Sequence, residues 1–281
     1  MSPRALAPSV PTAIAETAAS IALADGTSLQ ARIYGRKRPG TAAPLVLHFH
    51  GGAFISGDLD SGARMARLLA QLDAVVVCVA YPLAPAHPFP QAVEAGYAAL
   101  EWTYKQRTKL AGAGAKVYLA GEEAGGNLAA AVAMVARDRG HPPLDGQVLI
   151  APMLDPCVGT ASLRERVAGA TCCKWADGWQ QYLRGPRDAE HPYAVPGQAT
   201  RLTSLPPALV LTGQDDPMRD EALAYARRLA EAGIAVTTAV LEPTTGWPDS
   251  LVEEAALACP CEAGVKQHLH AFLYPATPPP S

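Results

Sequence analysis

The chain has 281 residues, 49% hydrophobic and 17% charged, which supplies a buried core and excludes a chain too polar to fold. A formal net charge of −3 gives no basic excess for nucleic acid or an anionic membrane, and no run approaches the ~20 apolar residues of a membrane span. The six cysteines, Cys78, Cys157, Cys172, Cys173, Cys259 and Cys261, fit no zinc spacing and are expected to be reduced thiols of a cytoplasmic protein, since Pro8, Pro11 and Glu16 interrupt any signal-peptide core after Arg4.

Along the chain, residues 20–23 and 29–34, joined by Asp25-Gly26, predict an antiparallel hairpin. Short apolar runs predict buried parallel strands at 45–50, 74–80, 116–120, 147–150, 208–212 and 235–241. Helical patterns fall between them at 62–72, 90–107, 124–138 and 220–233, and a last one at 253–273 is broken by Pro260. The alternation predicts a single α/β domain over residues 1–281, with a mostly parallel sheet and helices on both faces. Its pocket is expected at the carboxyl ends of the strands. Residues 155–205 interrupt the alternation and carry Trp175, Trp179, Tyr182 and Tyr193. The tail at 276–281 is expected to fray.

The stretch Gly121-Glu122-Glu123-Ala124-Gly125-Gly126-Asn127 lies between a predicted strand and a predicted helix. That is the setting of a nucleophile elbow of the G-x-S-x-G type, a sharp turn that lifts its central side chain above the sheet. Here the frame is Gly121-x-Glu123-x-Gly125, with a carboxylate at the centre. Upstream, the strand at 45–50 runs into His50-Gly51-Gly52-Ala53-Phe54. A glycine loop in that place can aim N–H groups at a developing oxyanion, joined by the N–H after the elbow residue. The donors would be Gly51, Gly52 and Ala124; a plain turn is the other reading of such glycines.

Two more segments complete a pattern: Tyr81-Pro82-Leu83-Ala84-Pro85-Ala86-His87-Pro88-Phe89-Pro90 and Gln214-Asp215-Asp216-Pro217-Met218-Arg219-Asp220-Glu221. From about residue 29 to 273 the chain resembles the hormone-sensitive-lipase-like group of the α/β-hydrolase superfamily, bacterial esterases included. The resemblance implies the α/β-hydrolase fold, a small cap contributed by residues 155–205, and dimers as a common assembly; no cofactor or metal is expected. It implies a triad in the order Ser, Asp, His. Glu123 then holds the serine position and Asp216 the acid position. Thr245, in Leu241-Glu242-Pro243-Thr244-Thr245-Gly246-Trp247, holds the histidine position. The family's Arg and Glu in the Tyr81 segment are Pro82 and Ala86, and its acid before the serine is lengthened to Glu122. Trp179 and Tyr182, at helical spacing, are expected to hold the cap together. The family's N-terminal cap helices look mostly absent, which predicts a more open pocket.

Serine attack needs an oxygen nucleophile and a base for its proton. Glu123 has no proton to lose, and Thr245 is no base near neutral pH. His87 lies in the proline-rich loop and is expected to be structural. His268 and His270 lie in the last helical pattern and are expected at its surface or in packing, and His48 lies beneath the glycine loop, on the same face as His50. The expected protein is therefore a pseudo-esterase that binds a small molecule, neutral or cationic because Glu123 and Asp216 make the floor acidic. One alternative is Glu123 as a carboxylate nucleophile, as in dehalogenases. Its extra methylene displaces the oxygen by about 1.5 Å, and misplacement of that size costs about a hundredfold. Another is acid/base work by Glu123 with Asp216, a pair whose like charges split their pKa values, or a divalent cation held by the same oxygens.

Overall fold

The computed structural model describes residues 14–157, 159–167, 173–242 and 260–275. Its strands are β1 (Glu16–Ala22), β2 (Ser28–Tyr34), β3 (Leu45–Phe49), β4 (Val75–Val79), β5 (Val117–Glu122), β6 (Gly146–Ile150), β7 (Ala208–Gly213) and β8 (Val236–Leu241). They form one sheet in the order β1-β2-β4-β3-β5-β6-β7-β8. The β1–β2 and β2–β4 pairs are antiparallel, and every later pair is parallel.

Strands β3, β4, β5, β6 and β7 are buried at every position. That is why they read as continuous apolar runs: helices cover both faces of a parallel sheet. The helices are α1 (Ala63–Gln71), α2 (Gln91–Ala111), α3 (Ala124–Arg139), α4 (Ala161–Val167), α5 (Lys174–Tyr182), α6 (Pro186–Ala189), α7 (Arg219–Glu231) and α8 (Glu262–Leu273). Helix α3 is buried at every residue from Ala124 to Ala136. Its small side chains let it lie close against the sheet, and a helix apolar all round belongs in a core. Gly140 ends it in the left-handed conformation at φ 67°, the usual glycine stop.

The expected elements are present, with longer bounds at several ends. The hairpin begins at Glu16 rather than residue 20, and α2 runs on to Ala111. Strand β5 extends through Glu122, because its backbone stays paired with Ile150 on β6. The chain between β6 and β7 holds α4, α5, α6 and a short 3-10 turn at Pro196–Gln198. Of the last predicted helix, only the part after Pro260 falls within the described residues. One cysteine expectation is corrected. Cys78, Cys157 and Cys173 are free, but Cys261 is disulfide-bonded. Spacing in sequence says nothing of which sulfurs the fold brings within bonding distance.

Candidate functional site

The end of β5 and the start of α3 set the geometry. Glu123 sits between them at φ 55° and ψ −117°, a left-handed conformation that costs a side-chain-bearing residue roughly 1–3 kcal/mol. The turn closes only because its neighbours are small. A Cβ added to Gly121 would lie 2.2 Å from the Gly125 carbonyl oxygen, and one on Gly125 would lie 2.1 Å from that of Phe49. The turn is then pinned by its backbone. The Glu123 N–H donates to the Ile150 carbonyl at 3.0 Å, and its carbonyl accepts from Asn127 at 3.2 Å and Met153 at 2.9 Å.

The glycine loop lies directly over this turn. His50 stacks on Tyr81 at 4.3 Å between ring centres and donates from Nδ1 to the Gly51 carbonyl at 2.7 Å. The Tyr81 hydroxyl donates to the His50 carbonyl at 2.8 Å. Ala53 and Phe54 follow with φ of 51° and 67°, so this loop also carries strain.

The Glu123 carboxylate points into the loop. Its Oε2 accepts from the Gly52 N–H at 2.9 Å. Gly51 flanks the same oxygen, since a Cβ there would stand 2.9 Å from it. Oε1 accepts from the Trp175 indole N–H at 2.5 Å, with the Lys174 ammonium 3.7 Å away. Ala124 is the first residue of α3, so Glu123 stands at that helix's N-terminus. Of the expected donor positions, Gly52 is engaged by the carboxylate itself and Gly51 lies against the same oxygen.

Helix α5 closes the site. Gly178 packs so tightly that an added Cβ would fall 2.1 Å from the Ala53 carbonyl oxygen. Tyr182 stacks on Phe54 with ring centres 3.9 Å apart, and Trp179 packs on Phe54 at 5.4 Å. Trp179 and Tyr182, expected to hold the cap together, thus dock α5 onto the loop. Trp175 donates to Glu123 from this helix, and Glu123 is only 5% exposed.

Beneath the elbow lies a second polar cluster. In the sheet register His48 stands opposite Cys78 on β4 and Ala120 on β5, and Glu122 follows two residues later on the same face. The His48 Nε2 is 2.6 Å from Glu122 Oε2, and Nδ1 is 3.2 Å from Cys78 Sγ. Both His48 and Glu122 are buried. Burial disfavours the charged ring, yet the Glu122 carboxylate, with Cys78, holds His48 well above its ordinary pKa. His48 is therefore tied to Glu122 under the loop. His87 bonds Gln91 at 2.7 Å near the surface, and His270 is exposed on α8.

Asp216 follows β7 and is 1% exposed. Its Oδ2 accepts from the Thr212 hydroxyl at 2.5 Å, and Oδ1 from the Met218 N–H at 2.8 Å. Burial pushes its carboxyl up to about 7 despite those two donors, with the charges of Asp215 and Glu123 adding to the rise. A cavity of about 170 Å³ beside it is lined by Ser162, Glu165, Gln214, Asp215 and Arg219. Thr245 lies outside the described residues. Among those described, no three His, Cys, Asp or Glu side chains form a group that could hold a metal, and no helix is long and apolar enough to cross a membrane. Sequence reasoning missed the Trp175 and Lys174 contacts to Glu123 and the His48–Glu122 pair. The usable signal was the tryptophan in the 155–205 stretch and the alternation that puts His48 and His50 on one face.

The strand order, the glycine elbow before a buried helix and the glycine loop above it define an α/β hydrolase. Residues 46–245 match the family Abhydrolase_3, described as alpha/beta hydrolase fold, and the chain belongs to it. Among its relatives is the esterase LipI of Mycobacterium tuberculosis, 38% identical over 198 residues, which are 69% of this chain and 62% of LipI. The carboxylesterase NlhH of the same organism is 34% identical over 259 residues, 87% of this chain and 80% of NlhH. A solved structure, the hyperthermophilic esterase of the archaeon Pyrobaculum calidifontis, superposes with a TM-score of 0.79 at 35% identity, covering 92% of this chain and 85% of that one. These esterases agree with the hormone-sensitive-lipase-like group expected from the motifs.

Proposed function

We propose that this chain no longer cleaves esters by the serine–histidine route and keeps the pocket as a binding site for a small molecule. The observation that carries the reading is the Glu123 carboxylate seated on the Gly52 N–H at 2.9 Å. An ester hydrolase keeps such a donor for the oxyanion that develops in its transition state. Here a negative charge occupies it before any substrate arrives. An ester carbonyl would have to displace a charged hydrogen bond worth roughly 1.5–3 kcal/mol. It would gain no nucleophile, since Glu123 has no proton to lose and Thr245 supplies no base. Both carboxylate oxygens are already engaged, which also weakens the case for Glu123 as a nucleophile at carbon.

Fluorophosphonate labelling tests the proposal: the wild type should yield no labelled peptide spanning residues 121–126, and a labelled one would sink it. The double variant Glu123→Ser, Thr245→His is expected to gain measurable ester turnover. A homodimer in solution belongs to the same reading, and light scattering on a sizing column reads it directly. One observation favours a second reading, acid/base work by Glu123 and Asp216: Asp216 is pushed up to about 7, where it exchanges its proton near neutrality. In that case the wild type would catalyse deuterium exchange into the α-carbon of small carbonyl compounds, and Asp216→Asn would abolish it.

A further inference from the structure

Lys174 opens α5, and its ammonium stands 3.7 Å from Glu123 Oε1 and 4.9 Å from the centre of the Trp175 ring. The Lys174 side chain is 47% exposed, whereas that of Glu123 is 7% exposed. A lysine side chain is a four-carbon alkyl chain ending in an ammonium. Such a chain thus already reaches from solvent, past an indole face, to a buried carboxylate. The indole N–H holds the same oxygen at 2.5 Å, and the Gly52 N–H holds the other at 2.9 Å.

We infer that the Glu123 site takes a primary alkylammonium ligand in the place of Lys174, its head on Glu123 Oε1 and its chain along the face of Trp175. The inference rests on the reading of the pocket as a retained binding site. Ligands of other charge are turned away by the same contacts. An anion meets the carboxylate while the Gly52 N–H is already engaged. A neutral carbonyl can only accept, so it must break a charged hydrogen bond and leave a buried carboxylate oxygen without its donor. An alcohol can donate but brings no charge. An ammonium donates, carries the complementary charge and is attracted to the indole face.

Calorimetric titration of the full chain with n-butylammonium chloride, sodium butyrate and 1-butanol tests this. The wild type should bind the amine weakly and the other two not at all. Lys174→Ala should bind the amine about tenfold tighter, as removal of an occupant present roughly nine-tenths of the time requires. Glu123→Gln should lose the amine. Should that variant not fold, added salt must weaken amine binding by Lys174→Ala, because the contact is ionic. Equal binding of butyrate or butanol, an amine affinity unchanged by Lys174→Ala, amine binding retained by Glu123→Gln, or no binding of the amine by either wild type or Lys174→Ala would each overturn the assignment. Fluorophosphonate labelling of the same preparation reports the loss of ester chemistry separately, so the two failures are distinguishable.

Discussion

Replacing Asp216 by Asn removes one ionisable group from the end of β7 while leaving its shape. The folded protein holds this carboxyl at a pKa of about 7, against an ordinary value of 3.8. A folded-state pKa above the unfolded value means that the folded protein binds the proton more tightly. The stability contributed by the group is therefore fully present below about pH 4 and is lost as pH rises through 7. A gap of roughly three pH units, at ~1.4 kcal/mol each, amounts to about 4 kcal/mol as an upper bound. Asn cannot ionise, so it escapes that loss. It keeps an acceptor for the Met218 N–H, and the Thr212 hydroxyl can turn to accept from the amide. Any packing defect shifts the variant equally at every pH. Urea unfolding of both proteins at about pH 4, 6 and 8 separates the two effects. The variant should gain on the wild type by up to about 4 kcal/mol between the first and last pH. A difference between the two proteins that stays constant with pH would refute a buried, proton-holding Asp216.

Trp175→Phe removes the indole donor from Glu123 Oε1 and should cost about 2 kcal/mol, the worth of a hydrogen bond to a charged group, lowering Tm by roughly 4–8 °C. In a Glu123→Gln background that cost should shrink, and strict additivity in the double-mutant cycle would count against the contact. His48→Leu leaves Glu122 buried and uncompensated, a loss of roughly 3–5 kcal/mol. Since His48 is held well above 6.5, its contribution is present below that pH and fades as pH rises through the folded value. The gap between wild type and His48→Leu should accordingly narrow in alkaline buffer, and a gap that widens there contradicts the pair. Gly178→Ala drives a Cβ against the Ala53 carbonyl oxygen, 2.1 Å away, so α5 must lift. Tryptophan emission should shift to the red as Trp175 meets water, and an unchanged spectrum would mean that the loop, not the helix, gives way.

The fold was legible wherever burial on both faces forces a uniform composition. The runs at β3, β4 and β7 have no polar face to disguise them, and α3 announces itself by alanines between two glycine turns. The elbow's register was legible for a steric reason: Gly121 and Gly125 sit where a Cβ would meet a backbone oxygen at 2.2 and 2.1 Å, so no other residue type serves. What holds the Glu123 carboxylate was not legible. Trp175 lies 52 residues downstream, on a helix whose placement depends on Gly178 and Tyr182 packing against the glycine loop. The His48–Glu122 pair joins residues 74 apart, and a period-two pattern gives each side chain's face but not which strand will lie beside it. The disulfide at Cys261 was not legible either, because sequence spacing does not show which sulfurs the fold joins. The histidine position, Thr245, falls outside the described residues and rests on the family motif.

Turnover of short-chain p-nitrophenyl esters by the wild type, measured beside Glu123→Ala, bears most directly on the role of the elbow carboxylate. Equal background rates in both proteins are expected, because a carboxylate that fills its own oxyanion donor adds nothing to ester cleavage. A wild-type rate that Glu123→Ala abolishes would make Glu123 a working catalytic residue and contradict the loss of ester chemistry proposed for this chain.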